Sequence, residues 1–445
     1  MSGPIPQLSP ARPGNIRQFK ISGQDVTGFD NNNNSRTSLA DLRYYENILS
    51  PSITFKVGVE ETDNLLDSLP IKGGEKCDIS IEDSQNNRLS LSLYVNRIRN
   101  VVKDPLQCNY FLDLTTEESF KNDQSRVVKR YDGKISDSVK KILTESTSGS
   151  DGIKTSKVND KNFDKTLIKY NFIGNNKKPF HVCTWLASKS VPENAGKSGG
   201  AAGYLFYETQ DGFNFRSIDA LFKEQKPKKK LIFTGTPDTP VDYNDKIIQY
   251  SVQRDIDVRN NLALGTYANE SIFFDFYEFK YRERSYSVDE GGVSGSKDKL
   301  EHGGKDDFSA SVTDSVRSKP SRIMTRILDV GTLPEGRTSK EQLKNWKDKP
   351  DQPTFDAEKV MVQSTMRYNQ LFSIKINVLI AGDFSLRAGD LVSCDFSEVD
   401  PSTSVGIDKR SSGIYMIASV CHRLTSKHTT SNLTLVRDTF GKKPS

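Results

Sequence analysis

At Ser373 the hydrophobic period of the chain changes from helical to extended, and that change, with its flanks from Asp356 to Phe440, constrains the fold more than any other feature. Before it, Asp356 can cap a helix whose orphan N–H groups also favour Glu358, and Val360, Met361, Tyr368, Leu371 and Phe372 recur at helical spacing. After it, Ile374, Ile376, Val378 and Ile380 point one way while Lys375, Asn377 and Leu379 point the other, which is the period of a strand. Gly382-Asp383 and Gly389-Asp390 supply turn chemistry on either side of Phe384 and Leu386, and a second run follows at Leu391 to Phe396. Two more strands read at Ile414 to Leu424 and Asn432 to Val436, separated by the polar turn Thr425 to Ser431. The spacing therefore predicts one helix followed by a short antiparallel meander.

Upstream, Gln18 to Ile21 and Tyr44 to Val59 read as strand, with Ile53, Phe55, Val57 and Val59 on one face and the Asn31 to Asn34 loop between the two runs. Gly73-Gly74 turns the chain into Cys77 to Ile81, Asn86-Asn87 turns it into Leu89 to Ile98, and Leu106 to Leu114 adds another strand. Short strands with turn signals between them predict a small antiparallel barrel or sandwich. Ser136 to Leu143 and Phe180 to Ser188 then read as helices, and Tyr204 to Glu208 with Phe213 to Ile218 as a hairpin turning at Asp211-Gly212. Strands return at Ile247 to Ile256 and at Ile272 to Tyr281, where apolar residues on both faces predict a central strand. From Ser285 to Lys319 large apolar residues nearly vanish, which predicts a long surface loop. Ile323 to Val330 reads as a strand, and the charged stretch Glu335 to Asp351 carries Trp346 as an anchor.

Composition narrows the function. Hydrophobic residues are 34% and charged residues 27%, so solvated loops dilute otherwise ordinary cores. With 63 basic against 58 acidic residues the net charge is +5, too small an excess of balanced numbers to mark a nucleic-acid surface. Cys77, Cys108, Cys183, Cys394 and Cys421 are widely spaced with no CxxC pair, against a disulfide framework or zinc knuckle and in keeping with a reducing cytoplasm. Pro4, Pro6, Pro10 and Pro13 make residues 1–15 an extended arm rather than a signal peptide, and no apolar run reaches spanning length, so no membrane insertion is expected.

Candidate chemistry fails at each place it is sought. Ala195-Gly196-Lys197-Ser198 has the tail of a phosphate-binding loop, but Val191 stands where the first glycine is needed, and a surface loop is expected. Cys421 and His422 are neighbours on a strand and face opposite ways, so they and His428 do not form a metal set. His181 and Cys183, two apart on a helix, face poorly for a dyad. Glu60-Glu61 and Asp306-Asp307 lack a cleft and read as solvated. The run Lys226 to Lys230 has no interleaved aromatic and suits an acidic partner or passing phosphates, while Tyr204, Phe206 and Tyr207 read as core, with an interface the alternative. No catalytic, cofactor-binding or metal-binding residue is assigned.

The runs Met366 to Phe396, Ser412 to Thr425 and Leu433 to Lys443 resemble the C-terminal region of baseplate hub subunits of T4-type contractile-tailed phages, marine ones especially. Arg43 to Asn64 and Leu69 to Cys77 are similar to the N-terminal region of the same family. The resemblance implies a mainly β protein with two small tail-tube-like antiparallel barrels and α+β insertions. On that reading the chain has an arm at 1–15, a first barrel at 16–116, an α+β domain at 117–230 and the start of a second barrel at 231–285. A loop-rich insertion at 286–355 and a helix with meander at 356–445 follow. It also implies a non-enzymatic virion protein, assembled in the host cytoplasm as a homotrimeric ring. Its expected partners are a central spike, tube-initiating and other baseplate proteins, and DNA passing through the channel. The alternatives are a tail-tip cell-wall hydrolase, which needs an acid pair or an activated nucleophile, and a hub of another contractile injection machine.

Overall fold

The computed structural model describes residues 12–26, 37–62, 65–69, 71–145, 152–167, 169–193, 202–223, 226–234, 243–254, 257–275, 279–287, 319–327, 357–398, 406–408 and 410–438. Thirteen strands among them form one sheet that runs through both ends of the sequence. Its first half comprises β1 (Asn15–Ile21), β2 (Gln24–Asp25), β3 (Thr37–Asn47), β4 (Thr54–Glu61), β5 (Lys76–Glu82), β6 (Arg88–Lys103) and β7 (Cys108–Thr115), with the short helix α1 (Leu65–Ser68) after β4. All their pairings are antiparallel, in the order β3-β4-β7-β6-β5-β1-β2. Inward phases put Leu42, Tyr44, Phe55, Val57, Leu93, Val95, Leu112 and Leu114 in one core.

The extended run expected from Tyr44 to Val59 is two strands. Asn47 accepts the N–H of Leu49 on its side chain and that of Ser50 on its carbonyl, closing a turn before Pro51. Leu106, expected within a strand, lies in the turn between β6 and β7 because Asp104 N–H bonds Gln107 O there.

A smaller α+β unit follows: α2 (Glu117–Gln124), β8 (Arg130–Tyr131), α3 (Ile135–Thr144), β9 (Val158–Phe163), β10 (Phe172–Ile173), α4 (Pro179–Ala187), β11 (Tyr204–Thr209), β12 (Gly212–Ser217) and α5 (Ile218–Lys223). The predicted β11–β12 hairpin forms, but its two-residue turn is Gln210-Asp211, one place earlier than expected, because Gly212, at φ +112, already pairs Thr209. Its aromatic core stacks Phe206 on Phe213 at 5.7 Å and packs Tyr204 against Phe215 at 4.9 Å.

The second half of the large sheet holds β13 (Lys229–Phe233) and β14 (Ile247–Arg254). Further along the chain come α6 (Val258–Leu264), β15 (Ala268–Asp275), β16 (Lys280–Ser287), β17 (Arg322–Ile327), α7 (Ala357–Leu371), β18 (Ile374–Ala381), β19 (Leu391–Phe396), β20 (Gly413–Thr425) and β21 (Thr429–Arg437). β14, β18, β21 and β20 pair in that order, and β20 joins β3 antiparallel from Ser419↔Asn47 to Thr425↔Asp41. β13 pairs β19 in parallel, where an all-antiparallel barrel was expected. One isolated bridge, Ile232↔Lys246, brings the two ends of this half together, but among the described residues no ladder closes either half into a barrel. Alternation along β20 sends Tyr415 and Ile417 to the core of this half and Met416 and Ala418 to a second core with Leu205, Tyr207 and Leu371.

β15 is central in a separate sheet of order β16-β15-β17, but the single strand expected from Ile272 to Tyr281 ends at Asp275, and Tyr281 lies on β16, paired with Phe274. Only its Phe273 face is fully buried, however, and Phe279 begins the return at φ +50. Val360, Val362 and Met366 of α7 reach the core of the α+β unit. The expected cap Asp356, residues 1–11, the loop at 288–318, residues 328–330 and the Trp346 stretch lie outside the described residues.

A candidate functional site at the charged seam of the sheet

The β3–β20 junction is where the two halves of the sheet and the small α+β unit meet, and buried charge concentrates there. Glu46 continues the inward phase of Leu42 and Tyr44, so its carboxylate enters the core. One oxygen accepts from Tyr44 Oη at 2.6 Å and from the N–H of Gln210 at 2.9 Å; the other accepts from the N–H of Ala388 at 2.8 Å. Burial pushes its pKa up, against the opposing pull of Arg387 and these donors.

Arg387 sits in the loop between β18 and β19, with Glu46 at 3.9 Å and Asp211 at 3.5 Å, and donates to Phe384 O, Leu386 O and Gln210. Gly389 in the same loop holds φ +90 against the Tyr207 hydroxyl, a conformation and a gap that exclude a β-carbon.

His422, on β20, lies under this loop. Its Nε2 is 3.0 Å from Leu386 O, which can only accept, so Nε2 carries the proton and Nδ1 accepts from Ser431 Oγ at 2.8 Å. Ser431 Oγ in turn accepts the N–H of Asp383. Tyr44 stacks parallel on the imidazole at 6.0 Å and Phe384 covers it at 5.1 Å. Burial pushes its pKa down to about 4, so the ring is neutral with both nitrogens engaged.

Two further buried ion groups tie the parts together. Lys157 bridges Glu118 at 2.8 Å and Glu208 at 3.0 Å, and Glu208 also accepts from Thr116 Oγ1 at 3.1 Å. Burial is the larger effect on Glu208 and pushes it up to about 7. Arg367 of α7 lies buried between Asp219 at 2.8 Å and Asp438 at 2.7 Å, with the Phe222 ring 5.1 Å away.

The residues tested in the sequence disperse. Cys421 and His422 face opposite sides of β20, and His428 lies in the turn before β21. His181 is exposed while Cys183 is buried, and burial pushes that thiol up, away from reactivity. Glu60 is exposed, but Glu61, expected to be solvated, is buried and accepts the N–H groups of Leu65 and Leu66 at the start of α1. Three of the four lysines in the basic run, expected to suit an acidic partner or passing phosphates, have acids within the chain. Lys228 meets Asp390 at 2.8 Å, Lys229 meets Asp383 at 2.7 Å and Lys230 meets Asp395 at 2.7 Å. Tyr204, Phe206 and Tyr207 are core, and Ala195 to Ser198 and Asp306-Asp307 lie outside the described residues.

A polar cavity of about 390 Å³ opens beside the seam, lined in part by Asn162, Asn214, Arg216, Lys228, Arg387 and Asp390. Asp390 is held there by Lys228 and by the N–H of Arg387 at 2.7 Å, and His422 is not in the lining. Among the described residues no group of three or more His, Cys, Asp or Glu side chains is placed to hold a metal. The arrangement anchors three parts of the chain to one another. Glu46, Glu208 and Arg367 went unread in the sequence, and their signal is a charged residue in the inward phase of an otherwise apolar element.

No protein-family model matches the sequence, and no curated protein matches it. Among solved structures, the tail protein of Neisseria meningitidis MC58 is similar with a TM-score of 0.50 at 11% identity, covering 95% of this chain and 96% of that one. The 43 kDa tail protein of prophage MuSo2 from Shewanella oneidensis has a TM-score of 0.49 at 10% identity, covering 95% and 98%. An Escherichia coli component of the type VI secretion system has a TM-score of 0.41 at 8% identity, covering 96% and 79%. The likeness to the meningococcal protein, end to end in both chains, gives this chain a tail-protein fold.

Proposed function

We propose that this tail-fold chain is a structural subunit of a contractile-tail baseplate, the central hub that joins the tail tube to the spike. The observation that carries the reading is the end-to-end fold match to a tail protein, which agrees with the hub resemblance of Met366 to Phe396. The chemistry of the seam supports it. His422, Glu46, Glu208 and Lys228 to Lys230 are each engaged inside the chain, and the neighbouring carboxylates Glu118 and Glu208 share Lys157, which suits a rigid scaffold.

In the assembled particle three copies close as a ring by heterologous contacts, each offering different surfaces to its two neighbours. The ring binds a central spike on one side and tube-initiating and other baseplate proteins on the other. It encloses a channel about as wide as a DNA duplex, roughly 20 Å or more. Its place is the virion tail, after assembly in the host cytoplasm. Mass measurement and image averages of the protein with candidate spike protein test this. Three chains around a central opening are expected, and a stable dimer or a ring without an opening rejects it.

A further inference from the structure

The polar cavity of about 390 Å³ beside the seam is large enough for a small ligand, and its wall holds polar groups that the fold does not use. Tyr207, on β11, is 2% exposed, yet its hydroxyl makes no hydrogen bond among the described residues and reaches the cavity beside Gly389. The absent β-carbon of Gly389 keeps the space in front of that hydroxyl clear. A group so placed is satisfied only by what enters the cavity. Burial pushes the Tyr207 pKa up, which keeps the proton in place and makes the hydroxyl a donor.

Charge narrows what the ligand carries. Of the four cations on the wall, Arg216 is 3.0 Å from Asp164, Lys228 is 2.8 Å from Asp390, and Arg387 lies between Asp211 and Glu46. Lys226 is exposed on the same wall and pairs with no acid among the described residues. With the acids behind the wall included, cations and anions balance, so no broad positive field is present to hold a polyanion such as phosphate. A single unpaired ammonium suits a single negative charge, and a carboxylate carries that charge on two oxygens that accept from an ammonium and a hydroxyl.

Other groups on the wall suit a peptide around that carboxylate. Asn214 donates its amide N–H groups to Thr209 Oγ1 at 3.2 Å and Gly212 O at 3.0 Å, which leaves its Oδ1 to accept. The Asn162 amide on β9 has no partner among the described residues and can both donate and accept.

We propose that this cavity binds an aspartate or glutamate side chain of a partner polypeptide, with Lys226 and the Tyr207 hydroxyl on the carboxylate and Asn162 and Asn214 on the peptide groups beside it. The site lies within one chain, so it stands apart from the hub reading and from any ring.

The test titrates the full chain with a blocked glycyl-glutamyl-glycine tripeptide, its glutamine counterpart, glutarate and inorganic phosphate, and reads affinity by ligand-observed NMR. The glutamyl peptide is expected to bind saturably and about tenfold tighter than the glutaminyl one, and Tyr207→Phe and Lys226→Gln should each weaken it by about tenfold. Tyr207→Phe removes an oxygen that has no partner within the chain, so its urea midpoint should match that of wild type. Lost binding at unchanged stability separates a ligand contact from a structural role. Equal affinity for the two peptides, unchanged affinity in either variant, tighter binding of phosphate, or no binding overturns the proposal. Glutarate bound as tightly as the peptide overturns the assignment to a polypeptide.

Discussion

The buried carboxylate of Glu46 accepts the backbone N–H of Ala388 at 2.8 Å, across 342 positions of sequence. With Tyr44 and Gln210 on the other oxygen, one side chain joins β3, the β11–β12 turn and the β18–β19 loop. Those three segments belong to different parts of the chain, so their relative placement depends on it.

Glu46→Gln keeps the volume but turns an NH2 group toward at least one of three donors. A loss of about 1–3 kcal/mol is expected in urea unfolding. Glu46→Ala, which strands all three donors and Arg387, should cost more, about 3–5 kcal/mol. Unchanged stability in Glu46→Gln would remove the tie from the account.

Stability against pH should show two opposed slopes. His422, lowered from 6.5 to about 4, resists protonation when folded; its contribution is present above pH 6.5 and lost as pH falls toward 4. Glu208, raised from 4.5 to about 7, resists ionisation when folded; its contribution is present below pH 4.5 and lost as pH rises toward 7. Each is worth about 3 kcal/mol across its window, so they largely cancel in the wild type between pH 4.5 and 6.5. Glu208→Gln should make stability rise with pH there, and His422→Gln should make it fall. Denaturation midpoints measured across that range check both signs, and parallel profiles would contradict the assignment.

Arg367→Met leaves Asp219 and Asp438 buried beside an apolar side chain. A loss of about 3–5 kcal/mol is expected, while replacing all three with leucine should recover most of it, because no uncompensated charge then remains. Thermal unfolding of the two variants decides; a triple variant as weak as the single one would point to packing rather than charge.

Within the basic run the three paired lysines should differ. Lys229 is nearly covered and holds Asp383, so Lys229→Met should cost roughly 2 kcal/mol, whereas Lys230, 61% exposed, should tolerate Gln within about 0.5 kcal/mol. Neither change should alter retention on DNA at physiological salt, since both charges already have carboxylates. Weakened retention in either variant would restore the phosphate-facing reading of this run.

What the amino-acid order determined by itself is local. The period switch at Ser373, the alternation from Ile374 to Ile380 and, to within one residue, the hairpin turn before Gly212 are visible because each depends on neighbours within a few positions. Their faces follow without tertiary information. Tertiary structure alone decided that β20 pairs β3, that β13 runs parallel to β19, and that the acids for Lys228 to Lys230 come from 383–395. It also decided that Glu46 and Arg367 are anchors and not solvated charges. The reason is that register and ion pairing between segments hundreds of residues apart depend on which surfaces meet. A charged side chain has the same local pattern whether its partner is water or a buried group brought in from the far end of the chain.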